Sequence, residues 1–109
     1  MADPRSQIET LRDRLDAGER DIVDQEDVDI LLEFSDQLDL LSSEYSDHRH
    51  LKLLRHCTRM AEEVGGLADA LDDRDAAEEI VRWIHRTYDN EETNRDYRVA
   101  LRMFGKHLT

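Results

Sequence analysis

HRHLKLLRHCTRMA, residues 48–61, settles the fold class. At about 100° per residue, Leu53, Cys57, Met60 and Ala61 gather with Val64 on one face. His48, Lys52, Arg55, His56 and Arg59 gather roughly opposite. That is the periodicity of an amphipathic helix, not of a strand. Ser46 stands where an N-cap belongs, and Gly65-Gly66 stops the helix beyond Val64. The segment also carries Arg49, Lys52, Arg55 and Arg59 without a single carboxylate, a net +4 in a chain of net charge −12.

The C-terminal stretch TNRDYRVALRMFGKHLT, residues 93–109, repeats the pattern. Tyr97, Ala100, Leu101, Phe104 and Leu108 form an apolar face, while Arg95, Arg98, Arg102 and Lys106, with Asn94 at the edge, form the other. Its net charge is +3, against −11 for residues 1–47 and −8 for residues 62–92. Asp89 and Glu92 supply a cap signal for this helix, as Asp75 and Glu78 do for one from about Asp75 to Tyr88. In that helix Ile80, Val81, Trp83, Ile84 and Tyr88 face inward, and Arg82 stands four residues after Glu78, a pairing distance. An acidic helix from about Asp24 to Leu41 buries Leu31, Phe34, Leu38 and Leu41, and points Asp29, Glu33, Asp36 and Asp39 the other way. Asp3-Pro4 opens a first helix with a thin stripe of Ile8, Leu11 and Leu15 that ends near Gly18. This weakly amphipathic segment, residues 1–23, is expected to be an appended or mobile arm.

The chain of 109 residues is one domain with room for a modest core. It has one Pro and no alternating run of β-branched residues, so the expected fold is all-α: a bundle of four core helices with an extra N-terminal helix. No stretch reads as a signal peptide or approaches the roughly 20 apolar residues of a membrane span. A lone cysteine, Cys57, excludes an internal disulfide and a multi-cysteine metal site. A soluble, cytoplasmic protein is expected. Lysine is nearly absent, with Arg supplying all the positive charge except Lys52 and Lys106. Such an acidic, lysine-poor composition fits a cytosol at molar salt, with an ordinary acidic protein as the alternative.

Solvation explains most charged helix faces, but two carboxylate-free stripes in so acidic a chain call for a local reason. Arginine suits phosphate through its planar multidentate head, and Asn94 and the histidines have the reach for base edges. The candidate DNA contacts are therefore His48, Arg49, Lys52, Arg55, His56, Arg59, Asn94, Arg95, Arg98, Arg102 and Lys106. His48 and His50 fall on different sides of their helix with no ligand partner at helical spacing, so no metal is expected. Cys57 and the three tyrosines read as packing groups. No acid–base pair, phosphate loop or activated nucleophile stands out, so no catalysis and no cofactor are expected of this chain.

From Asp24 onward, the acidic apolar helix, the basic helix opening Tyr45-Ser46-Asp47-His48, the short neutral helix and the Thr-led last helix resemble a known arrangement. It is the N-terminal core-binding (SAM-like) domain of tyrosine recombinases, the phage-integrase family, and most of all its haloarchaeal members. Thr93, Tyr97, Ala100, Leu101, Arg102 and Phe104 occupy the pattern of the closing helix. The resemblance implies that residues 24–109 form half of a clamp on duplex DNA during integration or recombination. The helices near 46–64 and 90–108 would lie on the DNA, beside other recombinase protomers, with the isolated domain monomeric or weakly associating at the nucleoid. It also implies a separate catalytic domain outside this sequence, so Tyr97 is not the nucleophile. Residues 1–23 have no family counterpart, and Gly105 stands where a second aromatic is common. The reading from a different class is an acidic all-α domain whose basic stripes meet an acidic protein partner.

Overall fold

The computed structural model describes residues 3–109 and is helical throughout, with no strand among them. Five helices follow in order: α1 Pro4–Asp16, α2 Gln25–Leu40, α3 Asp47–Glu63, α4 Arg74–Thr87 and α5 Glu91–Leu108, with one 3₁₀ turn at Asp69–Leu71 before α4. All but α2 begin at a side-chain capping bond, and α2 follows Asp24 without one. Asp3 accepts from the Ser6 N–H ahead of Pro4, and Ser46 accepts from the Arg49 N–H. Such caps are worth about 1 kcal/mol each. Two expected caps shift by one or two residues. At α4 the acceptor is Asp73, bonding the Asp75 N–H, rather than Asp75 itself; at α5 it is Asn90, bonding the Thr93 N–H, rather than Asp89. In both cases the residue left in extended backbone just before the first turn takes the role.

α3 is the central helix, packed against α1, α2 and α5. Its inner face buries Leu53, Leu54, Cys57, Met60 and Ala61, which merge with Leu31, Phe34 and Leu38 of α2 and with Tyr97, Ala100 and Phe104 of α5. Phe34 and Phe104 meet edge to face with centroids 5.4 Å apart, the favoured aromatic geometry. α4 enters the same core through Ile80 and Ile84 and rests against α5 and the 3₁₀ turn. Gly65 and Gly66 adopt φ of 81° and 65°, the left-handed backbone that ends α3. The turn that follows is tied back by Asp27, whose carboxylate accepts the Ala68 N–H at 2.8 Å.

The expectation of an appended first helix is corrected. Ile8, Leu11 and Leu15 lie in the same core as the rest, and α1 packs on α3 as closely as any other helix does. Its charged edge is tied down as well. Arg5 reaches Asp39 at 2.8 Å and Asp47 at 3.0 Å, and Arg12 reaches Asp36 at 2.6 Å and Ser35 at 2.9 Å. The stripe is thin because three residues suffice when the partner face is already apolar. The expected Arg82–Glu78 pair is also absent among the described residues, because Arg74 holds Glu78 at 2.9 Å from one turn earlier.

Candidate nucleic-acid interface

The basic residues of α3 project from the ridge left between α1 and α5. His48, Arg49, Lys52, Arg55 and Arg59 are exposed. Most are occupied. Lys52 pairs with Asp96 of α5 at 2.8 Å and Arg55 donates to the amide oxygen of Gln7 on α1, partners invisible in a single-helix reading, while Arg59 lies 3.4 Å from Glu63 one turn further along α3. The Arg49 guanidinium sits 5.7 Å from the centre of the Tyr45 ring, within cation–π range. Residues 48–61 hold no carboxylate, but Glu63 at the end of α3 and Asp96 of α5 reach the stripe in space.

His56 is set in the seam between α3 and α5, not out in solvent. Its ring stacks on Tyr97 at 4.1 Å with planes 5° apart, and Tyr97 stacks in turn on Tyr88 at 4.4 Å. Burial, reinforced by the Lys52 charge, pushes the His56 pKa below its ordinary 6.5. Burial, with a hydrogen bond in which the Tyr97 hydroxyl donates to Tyr88, pushes the Tyr97 phenol upward, and burial does the same to the Cys57 thiol. Cys57 and Tyr97 therefore sit where the sequence placed them, in packing.

On α5 the basic face stays outward. Arg95, Arg102 and Lys106 have no hydrogen bond or ion pair among the described residues. Arg95, Arg98 and Arg102 line one shallow concavity of about 210 Å³ with Val99 and no carboxylate. Arg98 alone is held, by Asn94 at 2.7 Å and Glu91 at 3.1 Å.

Asn94 is the clear correction among the candidate contacts. It is 6% exposed, its Nδ2 donating to the Tyr88 carbonyl at 3.2 Å and lying 3.2 Å from His85 Nδ1. It locks the α4–α5 corner and orients Arg98; no base edge reaches it there. The residue at this edge of the wheel is drawn inward because α4 covers it.

Two further residues take their roles only from the assembled fold, His50 among the expected capping, packing or phosphate-facing groups and Arg14 without any expectation attached. His50, 2% exposed, lies 2.8 Å from Ser35 Oγ and 3.5 Å from Asp39, inside the network that joins α1, α2 and α3. Its burial, opposed in part by Asp39, depresses its pKa. Arg14, on the last turn of α1, faces the α3 ridge from a helix read as peripheral.

No group of three or more histidines, cysteines or carboxylates among the described residues is arranged to hold a metal. No helix among them is long and apolar enough to cross a membrane. No protein-family model matches the chain, and neither a curated protein nor a solved structure shows significant similarity to it.

Proposed function

We propose that this chain is a duplex-DNA-binding module that grips the phosphate backbone with the outer face of α5 and, more weakly, with the ridge of α3. In its finer form the proposal is the core-binding half of a tyrosine-recombinase clamp, with strand cleavage left to another domain and other protomers as neighbours on the DNA at the nucleoid. The observation that carries the reading is the α5 concavity. Arg95, Arg98 and Arg102 converge there without a lining carboxylate, in a chain where acids outnumber bases 27 to 15. Guanidinium forks of this kind match phosphate oxygens.

The cations on the two helices without a carboxylate partner among the described residues are Arg49, Arg55, Arg95, Arg102 and Lys106. Neutralising about five phosphates gives a log–log salt slope of roughly −4.5 for duplex binding. At molar salt the Debye length is about 3 Å, so the isolated module would bind weakly and depend on partner protomers. Titration of labelled duplex at several salt concentrations tests this. A salt-independent interaction, or none at about 0.1 M salt with the helices intact, sinks the proposal.

A further inference from the structure

A cavity of about 580 Å³ opens between α1, α3 and the α4–α5 corner, and its lining contains no carboxylate. Arg14, Arg55 and Arg59 face it with His56, Tyr88 and Tyr97. Arg20 closes one side, fixed by paired hydrogen bonds of 3.1 and 2.8 Å to Glu62. The other three guanidiniums are less engaged. Arg14 has no partner among the described residues, Arg55 bonds the neutral Gln7 amide, and Arg59 stands at a long 3.4 Å from Glu63. Like charges gathered in a concavity repel, and an anion seated among them removes that cost. Tyr88, Tyr97 and His56 also line it as a column, with successive centroids 4.4 and 4.1 Å apart. Both faces of Tyr97 are covered within the column, so it is the ring edges that meet a ligand, and a flat ring can set its π-face against them edge to face. The volume falls in the range of sites that enclose one small molecule.

We propose that this cavity binds a nucleoside monophosphate, with Arg14, Arg55 and Arg59 on the phosphate and the base against the Tyr88–Tyr97–His56 wall. The shared chemistry is a phosphate one sugar away from a planar ring. It is supplied either by a free nucleotide or by the 5′-phosphorylated end of a strand. The site shares Arg55 and Arg59 with the duplex-binding reading, and Arg14, which lies on neither α3 nor α5, is the residue that separates the two.

Calorimetry and amide chemical-shift mapping on the whole chain, with AMP, adenosine, inorganic phosphate and a 5′-phosphorylated dinucleotide, test the assignment. AMP should bind at least about tenfold more tightly than adenosine or phosphate, since each of those keeps only half of the contacts. Shifts should concentrate near Arg14, Arg55 to Arg59 and Tyr88 to Tyr97. Arg14→Ala, at an exposed position outside the core, should weaken AMP by about tenfold while leaving the circular dichroism unchanged and duplex affinity within about threefold. A dinucleotide tighter than AMP assigns the strand end as the source; equal or weaker binding assigns the free nucleotide, and the site stands in both cases. Phosphate binding as tightly as AMP, indifference to Arg14→Ala, or no response to millimolar AMP overturns the proposal.

Discussion

α3 and α5 carry equal numbers of formal positive charges on their basic segments, four each, yet they meet solvent on different terms. α3 is flanked on both sides, so part of its ridge is drawn into its neighbours, Lys52 to Asp96 of α5 and Arg55 to Gln7 of α1, while Arg59 turns to Glu63 on α3 itself and Arg49 to Tyr45 just before it. The outer face of α5 is left exposed at Arg95, Arg102 and Lys106, and of its four basic residues Arg98 has bonded partners among the described residues. Charge counted along a helix measures what the chain possesses. The charge open to a partner is set by which flank of the helix the bundle covers. On this account α5 is the stronger anion-binding surface, although the longer carboxylate-free run in the sequence belongs to α3.

The most severe way to break the comparison is to undock α5. Phe104 is 1% exposed and meets Phe34 edge to face, so Phe104→Ala leaves a cavity at the α2–α5 contact. A loss of about 3–5 kcal/mol is expected in urea unfolding. A cost below about 1 kcal/mol would mean that α5 is not held by this core and that its outward face is not fixed by the fold.

Next in size is charge reversal on the outer face of α5. Replacing Arg95 and Arg102 by Glu removes two phosphate contacts, each worth about 0.9 of a decade at 0.1 M salt, so duplex affinity should fall by nearly a hundredfold. The salt slope should shrink by about two. The same reversal at Arg82 and Arg86, exposed on α4 away from either basic face, alters net charge equally. It should cost less than about threefold if binding is local and not diffuse attraction. Equal losses in folded variants would show that α5 has no privileged role.

All five helices, the inner face of α3 and the outward run of α5 were legible in the sequence, because helical periodicity and caps are local properties. Misreadings arose where a second helix decides. Asn94 sits at an edge of the α5 wheel and is buried only because α4 covers it. Lys52 looked unopposed because its carboxylate comes from residue 96. Arg14 went unweighed because nothing within α1 hints that it faces Arg55 and Arg59 across a cavity. Each is a pairing between two elements, and no spacing rule within one element encodes it.

A smaller effect, opposite in sign, sharpens the comparison. If Asp96 masks Lys52, then Asp96→Asn should release the ammonium and move α3 toward the behaviour of α5. The expected result is duplex binding up to about eightfold tighter at 0.1 M salt, with the slope steeper by about one. The pair is partly exposed, with side chains 54% and 32% accessible, so stability should change by less than about 1 kcal/mol. Unchanged affinity would mean that the α3 ridge does not touch the DNA.

The smallest effect distinguishes the inner sides of the two helices. α3 buries a titratable ring, His50, against Ser35 and Asp39 of α2, with Arg5 and Arg12 of α1 and Asp47 of α3 also acting on it. Burial disfavours the charged ring, so the folded pKa lies below the unfolded value of 6.5. The unfolded chain therefore takes up this proton first on acidification. The contribution of the neutral ring to stability is complete above pH 6.5 and is lost as the pH falls below it. One such group bends the stability profile by at most about 1.4 kcal/mol per pH unit. Urea unfolding of the parent chain and of His50→Gln between pH 7.5 and 5.5 checks the sign. The parent should lose more stability on acidification than the variant does, whatever the variant costs at neutral pH. Parallel profiles would mean that the α1–α2–α3 network accommodates an imidazolium, with Asp39 outweighing the burial of the ring.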